Sequence, residues 1–173
     1  MNSAIAVIAN TQLRPATADD FPAILDLNAE FVRFLSPLWA EKLQTLHAAA
    51  ELSHVIEQDG RVMAFLIAFR EGAKYDSVNY QWFCQRYPRF LYVDRIVVSA
   101  RLRTAGAGSM LYQHVFAHAA ANALPVVACE FDVEPPNPGS ARFHAKFGFA
   151  EVGQQRVGPS QKLVSMQVAK TLI

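Results

Sequence analysis

The chain has 173 residues, of which 52% are hydrophobic and 18% are charged. A chain of this length and apolar content can bury a sizeable core, which excludes an intrinsically disordered protein. Sixteen Lys and Arg residues against fifteen Asp and Glu give a formal net charge of +1, so neither nucleic acid nor an anionic membrane is expected as a partner.

Cysteine usage and the apolar runs indicate a cytoplasmic protein without a metal site. Cys84 and Cys129 form no C-x-x-C pair, which argues against a zinc site or a disulfide framework and fits a reducing compartment. The segment "MNSAIAVIAN" lacks the basic and apolar regions of a signal peptide, and the longest apolar run, at 62–69, is too short to span a bilayer. Without a linker or a repeat, one domain over residues 1–173 is expected.

The first part of the chain predicts a strand and two helices. "QLRPAT" at 12–17 is typical of a short strand, and Thr17 with Asp20 resembles a capping box at the start of a helix. Apolar residues follow at helical spacing, at Ile24, Leu27, Phe31 and Leu35. "SP" at 36–37 ends that helix, and a second helix is predicted at about 38–52.

A hairpin and an aromatic segment come next. Two β-rich runs flank Asp59-Gly60, the strongest short hairpin signal. Residues 71–89, "EGAKYDSVNYQWFCQRYPR", carry five aromatic residues without a long period, so a loop with one helical turn is predicted. This loop either covers the core or forms a wall of a substrate site.

The second half predicts alternating strands and helices. Strands are expected at 90–99 and 125–133, with a helix from about 107 to 122 between them. "NPGSARFHAKF" predicts a short helix that Gly148 ends in the left-handed conformation, and "FAEVGQQRVG" with "KLVSMQVAKTL" predicts a closing strand pair. This order indicates a mixed α/β sheet and not a repeating βαβ array.

The stretch "RTAGAGS" joins the strand at 90–99 to the following helix and is typical of an anion site. Free N–H groups and the helix dipole favour negative charge there, and Gly106 and Gly108 remove Cβ atoms that would hinder a phosphate. Ser109 adds a hydroxyl, while Arg101 and Arg103 add positive charge. The alternative is a loop that simply turns the chain.

Two familiar phosphate motifs do not fit this stretch. The nucleotide-binding P-loop needs a Lys after its last glycine, and none follows here. The dinucleotide fingerprint needs a third glycine where Leu111 stands.

Two motifs resemble those of the GNAT superfamily of N-acetyltransferases, and of a group of predicted bacterial acetyltransferases within it. "VVSARLRTAGAGSMLY" resembles its acyl-CoA pyrophosphate loop, Q/R-x-x-G-x-G/A, and "NPGSARFHAKFGF" resembles its second motif, N-x-x-[AS]-x-x-F-Y-x-x-x-GF. The matching positions are Arg103, Gly106, Gly108, Asn137, Ser140, Phe143, Gly148 and Phe149. His144 stands where the family most often has Tyr, and the likeness covers about residues 12–170.

The resemblance implies a GNAT-like fold and acetyl-CoA as cosubstrate, with no metal. The implied sheet has six to seven mostly antiparallel strands, is twisted and splayed between the strands at 90–99 and 125–133, and is flanked by about four helices. Main-chain groups of the first strand would pair with the pantetheine arm, and the loop N–H groups would hold the pyrophosphate. The implied cosubstrate contacts are Ile96, Val97, Val98, Arg101, Arg103, Thr104, Ala105, Gly106, Ala107, Gly108, Ser109, Asn137, Ser140, Phe143 and His144. Asn137 has the alternative of capping a helix.

Acyl transfer to an amine needs a base for the amine and benefits from a proton donor for the thiolate. His144, at the position of the family's usual donor, either donates that proton, contacts the thioester sulfur or only fills space.

The general base is predicted among carboxylates of the two central strands. By the period of two, Tyr92, Asp94, Ile96 and Val98 are expected on one face of their strand, with Arg95 on the other. Because an Asp in an apolar strand is costly unless paired or functional, Asp94 either pairs with an arginine or acts as the base.

Glu130 and Asp132 share a face of the next strand, where each either binds the amine, acts as the base or forms a structural salt bridge. The catalytic candidates are therefore His144, Asp94 and Glu130.

The resulting hypothesis is an N-acyltransferase that moves an acetyl or other short acyl group directly from acyl-CoA to a small-molecule amine in a ternary complex. The alternatives are a non-catalytic acyl-CoA sensor and an acetyltransferase of protein N-termini or lysines. The acceptor site is expected around Phe34, Trp39 and residues 71–89, and a homodimer through the last strands or the aromatic segment is a further hypothesis.

Overall fold

The computed structural model describes residues 10–33 and 35–172, except for the side chain of Thr104. The strands are β1 (Thr11–Pro15), β2 (Leu52–Gln58), β3 (Arg61–Arg70), β4 (Leu91–Val98), β5 (Val126–Glu134), β6 (Ala150–Val157) and β7 (Lys162–Lys170). The helices are α1 (Phe21–Glu30), α2 (Ala40–Ala49), α3 (Val78–Cys84), α4 (Ala107–Ala121) and α5 (Pro138–Ala145). In the described part of the chain, no helix is long and apolar enough to cross a membrane.

The seven strands form one sheet in the order β1-β2-β3-β4-β5-β7-β6. All neighbouring pairs are antiparallel except β4 and β5, which are parallel and pair only at Leu91 with Val127 and Tyr92 with Ala128. Beyond these two pairs the strands separate. The predicted mixed α/β sheet with a splay between these strands is confirmed.

Local signals account for the ends of several elements. Asp59 and Gly60 have φ angles of 50° and 75°, as expected for the two central residues of a tight hairpin between β2 and β3. The capping box is also present, since the Thr17 N–H donates to the Asp20 carboxylate at 2.8 Å. Arg14 of β1 pairs with the same carboxylate at 2.7 Å, which ties the first strand to the start of α1.

Helices cover both faces of the sheet. The first three helices pack on one face through Ile24, Leu43 and Phe83, while α4 packs on the other face through Leu111 and Val115. The splay between β4 and β5 therefore lies between two helical layers. Any ligand that enters the splay can contact groups from both faces of the sheet.

A bulge in β4 changes which side chains share a face. Arg95 pairs with Ile67 of β3 and Val93 pairs with the next residue, Ala68, so Asp94 is the extra residue of the strand. Tyr92 packs on the face covered by α1–α3, whereas Ile96 packs on the face of α4. The predicted common face for Tyr92, Asp94, Ile96 and Val98 is therefore wrong, because one inserted residue reverses the alternation.

The aromatic segment at 71–89 is more ordered than the single predicted turn. It contains α3, which Ser77 caps by accepting a hydrogen bond from the Tyr80 N–H. Tyr80 and Phe83 are buried in the core, while Tyr75 and the first residues of α3 face the splay. The segment thus covers the core and also forms a wall of a cavity in the splay between β4 and β5.

Candidate functional site

A cavity of about 940 Å³ occupies the splay between β4 and β5. Its walls are residues 93–98 of β4, residues 129–132 of β5, the start of α5, the segment after α1 and the turn between β6 and β7. Because the two strands do not pair here, an extended ligand can form hydrogen bonds with their main chains as an added strand would.

One end of the cavity lies at the start of α4. Residues 100–105 form a 3-10 turn, Gly106 follows with a φ of 85°, and α4 begins at Ala107. The first bond within α4 runs from the Met110 N–H to the Gly106 carbonyl at 2.9 Å, so the N–H groups of residues 107–109 precede it. Such a helix start suits a diphosphate, because it combines free donors with the positive end of the helix dipole.

The two glycines meet different physical needs. Gly106 adopts the left-handed conformation that a side chain disfavours. At Gly108 a Cβ atom would lie 3.1 Å from Cζ of Phe143. Gly108 therefore allows α5 to pack closely against the start of α4, and it does not only leave room for a ligand.

The structure brings most, but not all, of the proposed cosubstrate contacts to the cavity. Nine of them line its wall: Ile96, Val97, Val98, Arg103, Gly108, Asn137, Ser140, Phe143 and His144. The others lie in the 3-10 turn or the first turn of α4, outside that wall: Arg101, Thr104, Ala105, Gly106, Ala107 and Ser109.

Two of the lining side chains are held by neighbours. The Arg103 guanidinium lies over the Phe31 ring, 4.7 Å from its centroid, which places a positive charge at the cavity wall. The Asn137 side chain accepts a hydrogen bond from the Ser140 N–H at 3.2 Å and so caps α5. The capping alternative for Asn137 is thus observed, and its side chain also borders the cavity.

Both ring nitrogens of His144 have partners. Nδ1 lies 2.7 Å from the Ser140 carbonyl oxygen, and Nε2 lies 2.8 Å from the Tyr112 hydroxyl. Since a carbonyl can only accept, the proton of the neutral ring belongs on Nδ1, and the Tyr112 hydroxyl donates to Nε2. Burial lowers the pKa of His144 below its ordinary value, so the ring is neutral near pH 7.

Asp94 is engaged by two neighbours. One carboxylate oxygen accepts a hydrogen bond from the Tyr75 hydroxyl at 2.6 Å, and the other pairs with Arg95 Nε at 3.0 Å. Arg95 also donates to Asn28 Oδ1 at 2.7 Å, which fixes its position. The alternative of a structural Asp94–arginine pair is the one observed.

Glu130 keeps one carboxyl oxygen free of protein partners. Its Oε1 accepts hydrogen bonds from Asn79 at 2.8 Å and from the Tyr92 hydroxyl at 3.0 Å. Its Oε2 is buried and has no hydrogen-bond partner in the described part of the protein. Burial, and secondly the nearby charge of Asp94, raise the pKa of Glu130 to about 8.

Asp132 takes part in a tie across one end of the cavity. Lys162 Nζ lies 3.0 Å from the Asp132 carboxylate and 3.0 Å from the Arg33 carbonyl oxygen. The tie connects the segment after α1 with β5 and β7. The structural salt bridge is therefore the observed alternative for Asp132.

Sequence patterns missed three residues of this site. Tyr75 and Asn79 belong to the aromatic segment, for which the sequence predicts only that it covers the core or forms a wall of a substrate site. Tyr112 lies four residues after Gly108, at the end of the quoted loop stretch, but neither motif gives it a fixed position. Of the positions expected to set the acceptor site, Phe34 lies outside the described residues, and Trp39 is 55% exposed and not part of the cavity wall.

Comparisons with known proteins agree with this geometry. A family model described as Acetyltransferase (GNAT) family matches residues 15–149. No curated protein sequence matches the chain.

Ard1 from Thermoplasma volcanium superposes with a TM-score of 0.78 at 16% identity, over 95% of this chain and 100% of that one. Arabidopsis thaliana Naa50 with the bisubstrate analogue CoA-Ac-MVNAL gives 0.71 at 15%, over 93% and 99%. The putative acetyltransferase yncA from Salmonella typhimurium with acetyl-CoA gives 0.71 at 16%, over 95% and 96%. At these identities the structural likeness shows a shared fold.

Proposed function

Because the chain belongs to the GNAT family of acetyltransferases, we propose that it transfers an acetyl group from acetyl-CoA directly to the amine of a small molecule. Residues 12–170 would act as one catalytic domain. The observation that carries the proposal is the cavity between β4 and β5, which joins the start of α4 to the buried Glu130 carboxyl. This arrangement supports a phosphorylated acyl donor and an amine that bind in the same space.

The residues around the splay fit acetyl-CoA, which supplies the activated acyl group when bound. The N–H groups of residues 107–109 and the Arg103 side chain would hold its diphosphate. The unpaired edges of β4 and β5 would hold its extended arm. The helix start and the unpaired strand edges together support a ligand that has a diphosphate and an extended arm.

Glu130 is the better of the two candidate bases. Both oxygens of Asp94 already accept hydrogen bonds from Tyr75 and Arg95, whereas Oε2 of Glu130 has no partner in the described residues. A carboxylate with a free oxygen at the cavity can accept the proton that the acceptor ammonium must lose before attack. We therefore assign the base to Glu130, and assign to Asp94 the orientation of Tyr75 in the wall.

The mouth of the cavity favours an acceptor with an apolar body. Val32 and Val78 are 50% and 61% exposed, and both line the cavity together with Phe31 and Leu35. Exposed apolar side chains grouped at a cavity favour an apolar ligand. The Lys162 tie links the segment after α1 to β5 at the wall of the same cavity, which supports a small amine over a polypeptide segment.

A panel of acceptors tests the proposal. Release of free thiol from acetyl-CoA would be followed with alkyl and arylalkyl amines, with polyamines and amino acids, and with peptides that have a free N-terminus. We expect turnover with the apolar amines and none with peptides. Turnover restricted to peptides would contradict the small-molecule acceptor, and CoA binding without turnover of any amine would favour an acyl-CoA sensor.

The tie provides a matched variant for the same panel. Lys162→Ala removes the bonds to the Arg33 carbonyl and to the Asp132 carboxylate, while Asn79 and Tyr92, the hydrogen-bond partners of Glu130, are not altered. If the tie sets the size of the acceptor, this variant will accept bulkier amines than the wild type while its KM for acetyl-CoA stays the same. An unchanged acceptor range would show that the tie does not limit acceptor size.

A further inference from the structure

His144 stands where the second motif most often has a tyrosine, and a tyrosine of another helix lies beside it. Tyr112 of α4 reaches His144 of α5 across 2.8 Å, and its ring is 1% exposed at the wall of the cavity. Cys129 of β5 lies on the same face of the sheet. A phenol and an imidazole therefore share one hydrogen bond at the splay.

His144 in this arrangement has no free N–H to offer a ligand. Its Nδ1 proton is held by the Ser140 carbonyl at 2.7 Å, and its Nε2 is occupied by the Tyr112 hydroxyl. Donation from His144 to a sulfur atom would break one of these contacts. The Tyr112 hydroxyl, in contrast, can turn from Nε2 toward the cavity by rotation about its C–O bond.

We propose that Tyr112 is the catalytic residue that gives the proton to the departing thiolate, and that His144 acts through Tyr112 as a positioning residue. The inference rests on the proposed acetyl transfer. It places the proton donor on the α4 face of the splay and the base, Glu130, on the opposite face, where Asn79 and Tyr92 hold it. Donor and base would thus approach the reacting atoms from opposite sides.

The acceptor amine supplies the protons that balance this step. As the carbon–sulfur bond breaks, its electron pair stays on sulfur, and Tyr112 gives its hydroxyl proton to that sulfur. An acceptor ammonium loses two protons when it becomes an amide. One of them restores the Tyr112 hydroxyl through solvent, and the other is the net proton released. His144 stays neutral throughout, with its proton on Nδ1, and its Nε2 again accepts the hydrogen bond of the restored hydroxyl.

Burial is consistent with a proton donor at Tyr112. It raises the pKa of the hydroxyl well above the ordinary value, so the phenol carries its proton at neutral pH, as a proton donor must. The Phe143 and Phe149 rings pack against both Tyr112 and His144, which holds the pair in place.

Tyr112→Phe and His144→Ala, alone and combined, test the proposal. Each single change should lower kcat about a hundredfold, as expected for loss of general-acid catalysis. The double variant should be no slower than either, because the two residues act as one unit. Affinity for CoA, measured by calorimetry, should stay within about threefold of the wild type. Tyr80→Phe is the matched control, since its hydroxyl bonds to the Arg70 carbonyl away from the cavity.

Several outcomes would overturn this assignment of Tyr112 and His144. A Tyr112→Phe protein with the kcat of the wild type, beside an inactive His144→Ala protein, would make His144 the direct donor. Losses that multiply in the double variant would make the residues independent. A Tyr112→Phe protein that loses CoA affinity but not kcat would make the role structural. A wild type without acetyl transfer to any amine would overturn the proposed function as well, so the two failures are distinguishable.

A measurement on the unaltered protein covers the case in which Tyr112→Phe does not fold. ¹⁵N NMR of histidine-labelled protein, with the His144 signals assigned by their loss in His144→Ala, should show the proton on Nδ1 and an Nε2 that accepts a hydrogen bond. A proton on Nε2 in the neutral ring would contradict the proposed direction of the Tyr112 hydrogen bond.

Discussion

At the scale of single residues, the three carboxylates near the cavity differ in what surrounds them. Asp94 and Asp132 are paired with Arg95 and Lys162, whereas Glu130 accepts two neutral hydrogen bonds and is buried. Burial raises the pKa of Glu130, which has no cationic partner among these contacts. These surroundings distinguish the proposed proton acceptor from two carboxylates held in salt bridges.

The first prediction is a pH dependence set by Glu130. The base must be ionised to work, and its pKa is raised to about 8, so kcat/KM should increase as pH rises through about 8. Glu130→Gln should lose this rise and lower kcat by about a hundredfold or more. Two acceptors whose amines have different pKa values serve as the control, because a rise in kcat/KM that is set by Glu130 occurs at the same pH with both. A rise whose pH changes with the acceptor would contradict the assignment.

The same group makes a prediction about stability. Its folded-state pKa lies above the ordinary value, so the folded protein binds the extra proton, and this stabilisation is lost as pH rises through about 8. Glu130→Gln should therefore melt at a higher temperature than the wild type at pH 9 and at nearly the same temperature at pH 5. The difference is measured by thermal denaturation at both pH values. Equal melting temperatures at pH 9 would show that the ionised carboxylate is better solvated than its burial implies.

At the scale of elements, two short features position the site. The bulge in β4 makes Asp94 an extra residue, so the strand presents Tyr92 to one helical layer and Ile96 to the other. Gly108 at the start of α4 lets that helix lie close to α5, which carries His144. The contact between α4 and α5 is therefore the one on which the Tyr112–His144 bond depends.

A substitution at Gly108 tests this contact. The Cβ atom of Gly108→Ala would meet Phe143 at 3.1 Å, so α5 should shift away, with a cost of about 1–3 kcal/mol in the free energy of unfolding. We expect weaker CoA binding and a lower kcat, measured by calorimetry and steady-state kinetics. Phe143→Leu in the same protein relieves the clash and should restore part of the stability. Failure of this rescue would show that the space at Gly108 serves the ligand alone.

At the scale of the whole molecule, the splay in the sheet makes the site possible. Strands β4 and β5 are held together at Leu91 and Tyr92 and separate beyond them, so a cavity opens in the middle of a continuous seven-stranded sheet. A ligand in this gap would bridge the β1–β4 half and the β5–β7 half of the sheet. Binding there should stabilise both halves at once.

A stability measurement with CoA follows from that geometry. A ligand that binds only the folded state at a hundred times its Kd adds about 2.7 kcal/mol, which corresponds to a rise of about 5–10 °C in Tm for a chain of this size. Hydrogen exchange should slow at residues 93–98 and 129–132, on both sides of the splay. Adenosine alone is the control, because it lacks the diphosphate and the arm. Protection confined to one strand would contradict binding between them.

Much of the fold could be predicted because its signals are local. The Asp59-Gly60 turn, the Thr17–Asp20 capping box and the left-handed Gly148 depend on backbone conformation within a few residues, and all three are observed. The strands and helices of the second half were placed within a few residues by their apolar periodicity. The bulge in β4 was missed, because alternation along one strand carries no information on its neighbour's register.

The sequence by itself determined the family and the element order, and it predicts the proposed anion site at the start of α4, because motifs and periodicity are properties of short segments. Only the tertiary structure decided which carboxylate keeps a free oxygen and which hydroxyl meets His144. Asn79 lies 51 residues from Glu130, and Tyr112 lies 32 residues from His144. Contacts across such distances depend on how the helices pack on the splayed sheet, and burial there sets the protonation state of each group.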